Sequence, residues 1–287
     1  GLLQTPPLDL KQVEIIKGSS STLYGGGAIA GLVNLISKTP EEERDFSIHL
    51  NGTTGKGLDI NSYFGQKFNK VGTTVFASYN RNWAYDPSDV GFTAIPKFDR
   101  FVLNPKLYLY LSDNTDFNFG INSTIENRLG GDIRYVEGKG SEEHSYFERN
   151  KTQRHSTQLS FEHRFDKQNK LNVKNSITYF NRKIEIPDFT FDGEQLSSFS
   201  EVSYIHTREK TEWVAGANVW TDKFTEKKLT NFPLRDYDMT TFGLFIQNNT
   251  KITDWMDIES GLRTDYVTDY GFTVLPRISS HFRITDK

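Results

Sequence analysis

From Arg44 onward, apolar and polar residues alternate with a period of two, the pattern of strands whose two faces meet different surroundings. Phe46, Ile48 and Leu50 fall on one face, and Ser47, His49 and Asn51 on the other. Ile60, Phe64 and Phe68 oppose Asn61, Tyr63 and Lys67, while Leu103, Leu107, Leu109 and Leu111 oppose Asn104, Lys106, Tyr108 and Tyr110. Phe117, Phe119 and Ile121 oppose Asn118, Gly120 and Asn122. Further apolar faces are Leu159, Phe161 and Phe165; Leu171, Val173, Ile177 and Tyr179; Trp213, Ala215, Ala217 and Val219; and Val274, Ile278, Phe282 and Ile284. The pattern predicts roughly twelve strands of about ten residues or more, longer than the usual five or six of globular proteins.

The connections carry a second regularity. Tight polar turns are predicted at Asn69 to Lys70, Ser112 to Thr115, Asp166 to Asn169, Arg208 to Lys210, Thr253 to Asp254 and Thr285 to Lys287. Longer loops are predicted at Trp83 to Lys97, Arg128 to Thr152, Ile186 to Ser197 and Glu226 to Asp236, with short exceptions at Gly55 to Gly57 and Asp269 to Gly271. An antiparallel meander with short turns at one end and long loops at the other is the arrangement of an outer-membrane barrel. A soluble sandwich or propeller also alternates. Strand length and turn asymmetry favour the barrel.

The first forty residues read differently. Val13 to Lys17 is a predicted strand ended by Gly18. Ser19 and Ser20 can cap a helical turn over Ser21 to Tyr24, and Gly25 to Gly27 supply its left-handed exit. Ala28 to Ser37 reads as strand, and Pro40 with Glu41 to Glu43 as linker. The expected division is therefore residues 1–40 and residues 41–287.

Composition removes several alternatives. The 287 residues include no cysteine, so disulfides and thiolate metal sites are unavailable. A net charge of −3 leaves no basic footprint, and nucleic acid is not an expected partner. A mean hydropathy of −0.58 would ordinarily indicate a soluble protein, but a barrel strand averages its lipid and lumen faces and escapes that test. Aromatic residues at 14% suit strands and interfacial girdles. The opening residues show no leader pattern and read as the middle of a fold, so a piece of a longer polypeptide is expected.

Few motifs carry chemistry. Gly25 to Ala30 fits the G-x-G-x-x-A spacing, but a polar Ser/Thr segment precedes it and Leu32 to Ile36 reads as strand, so a dinucleotide loop is disfavoured. His49, His144, His155, His163, His206 and His281 stand at no ligand spacing, and no metal or other cofactor is expected. No Ser/His/Asp arrangement emerges, and carboxylates such as Asp257 and Glu259 read as polar-face residues, so an enzyme is not expected. The ligand-contact candidates are the loop residues Trp83, Tyr85, Asp86, Arg128, Arg134, Tyr135, Tyr146 and Arg149.

Val13 to Gly18, Ser21 to Gly25, Ala28 to Lys38 and Pro40 resemble the final part of the plug domain of TonB-dependent outer-membrane receptors. Phe242 to Gln247, Gly261 to Asp265 and Leu275 to Arg277 are similar to the barrel region of the same receptors, in the same order. The resemblance implies a plug motif at Gly18, Ser21, Leu23, Tyr24, Gly25, Gly31 and Asn34, with the C-terminal end of the plug in 1–40 and the first part of the barrel in 41–287. It implies an all-β fold: an antiparallel transmembrane β-barrel, partial here, with roughly 12 of about 22 strands. The implied function is binding of a scarce nutrient at the cell outer membrane and its import with energy from TonB. The implied partners are outer-membrane lipid, the TonB complex, a small-molecule nutrient and the rest of the same barrel. Iron chelates, cobalamin, other metal complexes and oligosaccharides all remain open as substrates. The alternative is a non-transporting outer-membrane or surface β-protein acting in adhesion or partner binding.

Overall fold

The computed structural model describes residues 9–17, 21–25, 28, 31–227, 233 and 235–283. Gly18, the capping residues Ser19 and Ser20, Gly26, Gly27, Ile284 and the turn at Thr285 to Lys287 lie outside the described residues. Two sheets are present among them, one of two strands and one of twelve.

The small sheet is an antiparallel hairpin of β1 (Leu10–Lys17) and β2 (Gly31–Ser37), joined through the single helical turn α1 (Ser21–Tyr24). Ala28, where the sequence pattern began this strand, instead closes a tight turn onto the Gly25 carbonyl, and Ile29 and Ala30 lie outside the described residues. Gly25 itself takes the left-handed conformation (φ 78°).

The large sheet runs β3 (Asp45–Thr53), β4 (Gly57–Phe68), β5 (Val71–Asn82), β6 (Lys97–Ser112), β7 (Thr115–Gly131), β8 (Phe147–Arg164), β9 (Asn169–Ile186), β10 (Phe189–Arg208), β11 (Thr211–Glu226), β12 (Tyr237–Thr253), β13 (Met256–Val267) and β14 (Gly271–Phe282). Each strand pairs antiparallel with its sequence neighbours, and β3 and β14 form the two edges. Another turn, α2 (Ile133–Val136), lies between β7 and β8. The strands lengthen toward the middle of the sheet, to 20 residues in β10, against the roughly 9–11 needed to cross a bilayer.

Two of the four predicted long loops are revised. The β9–β10 connection is only Pro187 and Asp188, so Ile186 to Ser197 is not a loop. Its polar stretch Asp192 to Gln195 is strand, paired with Phe180 to Lys183. The β7–β8 loop shrinks to residues 132–146, since pairing between these strands begins at Gly131 and Phe147.

Alternation sorts the side chains as the pattern required. One face carries Phe46, Ile48, Leu50, Leu107, Ile121, Ile177, Trp213, Leu244, Leu262, Val274 and Ile278, all exposed. The other carries Thr74, Ser78, Asn104, Glu126, Asn218, Gln247, Arg263 and Asp265, all buried, with one small apolar cluster of Tyr63, Phe76 and Val102. This inversion of a globular protein follows from curvature. Asp9, just before β1, accepts a hydrogen bond from Asn104 of β6, Lys38 lies over the Tyr63 ring of β4, and α1 packs on β12, β13 and β14. The N-terminal hairpin thus touches both wings of the large sheet, which curves around it with its polar face inward. No described helix is long and apolar enough to cross a membrane, which leaves crossing by strands open.

Candidate functional site

On the inner face, the loop-side halves of β6 to β9 bring a group of arginines and rings together. Register sets Arg100 opposite Glu126, Phe98 opposite Arg128, Arg154 opposite Phe180, and Thr152 opposite Arg182. Glu126, only 4% exposed, accepts hydrogen bonds from Arg100 (2.5 Å) and Arg128 (3.2 Å). Both guanidinium groups lie over the Phe98 ring, at 5.3 and 5.2 Å. Arg154 lies over the Phe180 ring at 4.8 Å, and Arg182 Nε donates to Asn150 Oδ1 at 3.3 Å. Neither Arg154 nor Arg182 has a carboxylate partner among the described residues, so this wall presents positive charge flanked by aromatic faces. Next to it Phe191, Phe224 and Tyr237 stack, and Arg235, paired with Glu226, covers Phe191. Beneath the arginines, a polar cavity of about 270 Å³ opens between the hairpin and β6 to β8, lined in part by Asp9, Asn104, Lys106, Glu126, Arg154 and Gln158.

A roof of two interlocked loops stands beside this wall. Phe92 bridges to Asp132, Thr93 N–H donates to the Gly131 carbonyl, and Ile133 N–H donates to the Gly91 carbonyl. Asp132 caps α2 by accepting from Arg134 N–H at 2.8 Å, and its other oxygen lies 2.7 Å from His144 Nδ1.

The loop candidates scatter over this framework. Tyr135 stacks on Phe147 (4.7 Å) and Tyr146 leans on Phe92 (6.1 Å), both within the roof. Arg134 is exposed there. Trp83 lies against Arg81, and Lys56 approaches the Tyr85 ring. Asp86 accepts from the Val90 and Gly91 amides, holding its own loop. Arg128 faces inward with Arg100, whereas Arg149, at an odd position of β8, pairs with Glu185 (3.7 Å) on the opposite face. Arg100, Arg154, Arg182, Phe98 and Phe180 belong to this inner-face group and lie on strands, outside the loops that supplied the sequence candidates. The signal was their parity: each occupies an inward position of an alternating strand.

Of the plug-motif residues, Gly31 has φ 115° and Asn34 donates to Glu14 of the paired strand at 3.0 Å. Leu23 is half-buried and Tyr24 exposed, while the side chain of Ser21 lies outside the described residues. Gly25 lies against Arg263 of β13.

Residues 1–32 match the TonB-dependent Receptor Plug Domain. Over 110 residues the chain is 29% identical to the metal-pseudopaline receptor CntO of Pseudomonas aeruginosa, which covers 37% of this chain and 14% of that protein. Its fold matches the alcaligin outer membrane receptor FauA of Bordetella pertussis with a TM-score of 0.77 at 14% identity, over 96% of this chain and 47% of that one. It matches the siderophore receptor PirA of Acinetobacter baumannii at 0.75 and 18% identity, over 98% and 47%. The first 32 residues thus match the plug family of TonB-dependent receptors, and the fold of the chain is that of solved outer-membrane receptors.

The chain spans about half the length of the solved receptors that it matches. Its fold is shared with those solved receptors. Among its described residues, no three His, Asp or Glu side chains gather as a metal site. The inner face brings fixed cations, ring faces and amide groups to one space.

Proposed function

We propose that this chain forms part of an outer-membrane importer, with residues 1–40 belonging to its plug and residues 41–287 to its barrel wall. It takes up an anionic metal chelate with energy supplied through TonB. One observation carries the substrate class: Arg154 and Arg182 face the lumen beside Phe180 without carboxylate partners. Guanidinium groups recognise anionic oxygens in planar, multidentate fashion and aromatic rings stack on flat chelators, which suits a metal chelate better than a neutral oligosaccharide. The relatives named for metal-pseudopaline and siderophores support that reading. The roof residues Tyr135 and Tyr146 supply further contacts at the outer mouth, and the open edges of β3 and β14 pair with further strands of the same barrel.

The test is binding of a ferric catecholate, cobalamin and a neutral oligosaccharide to the native protein, followed by uptake in cells with and without working TonB. A charge-assisted hydrogen bond contributes about 1.5–3 kcal/mol, so Arg154→Ala or Arg182→Ala should weaken chelate binding by about 10- to 100-fold. Chelate affinity that ignores both substitutions and ionic strength overturns the substrate class. Uptake independent of TonB overturns the importer.

A further inference from the structure

The contact between α1 and β13 is a fit between a side chain and the absence of one. Thr22 is fully buried, at 0% exposure, on Gly261. A Cβ at Gly261 would stand 2.4 Å from Thr22 Oγ1 and 3.0 Å from its Cβ, too close for any side chain while α1 stays in place. One turn on, Gly25 lies over the Arg263 guanidinium, and a Cβ there would lie 3.5 Å from Nε and Nη2. Arg263 is 4% exposed and fixed on three sides: Asp265 accepts from Nε at 2.9 Å, Asn218 accepts from Nη2 at 3.0 Å, and the Phe245 ring lies beneath. Its guanidinium fills the space over Gly243, where a Cβ would fall 2.3 Å from Nη2. Glycines at 243 and 261 therefore shape a socket in β12 and β13, and Arg263 forms its floor.

The hold is one of shape. Among the described residues no hydrogen bond crosses from α1 to the socket, and Thr22 Oγ1, Arg263 Nη1 and Gln247 Oε1 are buried without hydrogen-bond partners. Buried polar groups left unpaired are costly, so the contact is close but weakly bonded, and water can take over its polar groups when it opens. A few van der Waals contacts that vanish together on a small displacement suit a catch better than a permanent joint.

We infer that Gly261 and Arg263 are positioning residues that catch the turn from Thr22 to Gly25 on the barrel wall, and that the lumen is closed while the catch is seated. The consequence for gating rests on the importer reading. The contact itself does not.

These 287 residues contain no cysteine, so Thr22→Cys with Gly261→Cys places a single pair of thiols among them. In the native, resting protein the pair should crosslink on mild oxidation, and no crosslink overturns the inference when each single variant inserts and binds as the unaltered protein does. Because Gly261→Cys alone can push the turn away, a size exchange gives a second reading. Gly261→Ala should raise passive entry of a bulky hydrophilic antibiotic several-fold, and adding Thr22→Gly should return the barrier to its native level. An unchanged barrier in Gly261→Ala, or no rescue by Thr22→Gly, overturns the inference. The barrier is read without TonB, so failure here is distinct from failure of the importer reading, which shows as missing TonB-dependent uptake by the unaltered protein.

Discussion

Asp132 ties the roof together through both carboxylate oxygens, one capping α2 and the other meeting His144. The hydrogen bond with His144 comes first among the causes that hold its pKa below the ordinary carboxylate value, followed by the Arg134 and Tyr135 amides, with partial desolvation opposing them. A depressed folded-state pKa gives stability that is present above the unfolded value, about 3.9, and lost as pH falls through the folded one. Loop 132–146 should therefore keep its protection from hydrogen exchange from neutral pH down to about 4 and lose it below, once intrinsic exchange rates are corrected for. Asp132→Asn should exchange faster at neutral pH and lose that acid dependence. A native loop as protected at pH 2 as at pH 7 would rule out this role for the carboxylate.

At the scale of the element, the β9–β10 hairpin concentrates what the sequence revealed and what it hid. Its tip is Pro187 and Asp188, and Asp188 sits at φ 64°, in the left-handed region that β-branched residues resist at a cost of about 1–2 kcal/mol. Asp188→Gly should be neutral or stabilising. Asp188→Val should open the tip, seen as faster exchange of the amides in 184–191. Strand β9 was legible, because its outward positions, such as Val173 and Ile177, are apolar and alternate with polar inward ones. The hairpin's true length was not legible. Asp192, Gly193 and Glu194 look like a loop in one dimension, and only pairing with Asn181, Arg182 and Lys183 shows them as strand. The socket was hidden for a related reason: Gly243 and Gly261 look like ordinary strand glycines until Thr22 and Arg263 arrive from elsewhere in the chain. The plug motif was readable as residues, and its partner surface was not.

At the scale of the molecule, neighbouring residues on β13 show which surroundings each face is built for. Leu262 points outward and is 49% exposed, while Arg263 points inward and is 4% exposed. Two aromatic pairs bracket the outer face here: Trp255 with Phe282 at the short-turn end, and Tyr266 with Phe272 at the other. Phe272 and Phe282 are ten positions apart along β14, about 33 Å of strand, which at a tilt of about 40° stands close to the roughly 25 Å apolar band of an outer-membrane barrel. Leu262 pairs with Pro276 and Ile246, near the middle of that band. If lipid covers this face, Leu262→Arg should cost about 2–4 kcal/mol, the penalty for a cation at the bilayer midplane. Leu262→Ala, which adds no charge, should cost much less. Urea titration of the native protein folding into lipid vesicles measures both. An arginine tolerated at 262 as readily as the one already at 263 would mean that the exposed apolar face meets water or protein instead of lipid, and would return the soluble sheet to contention.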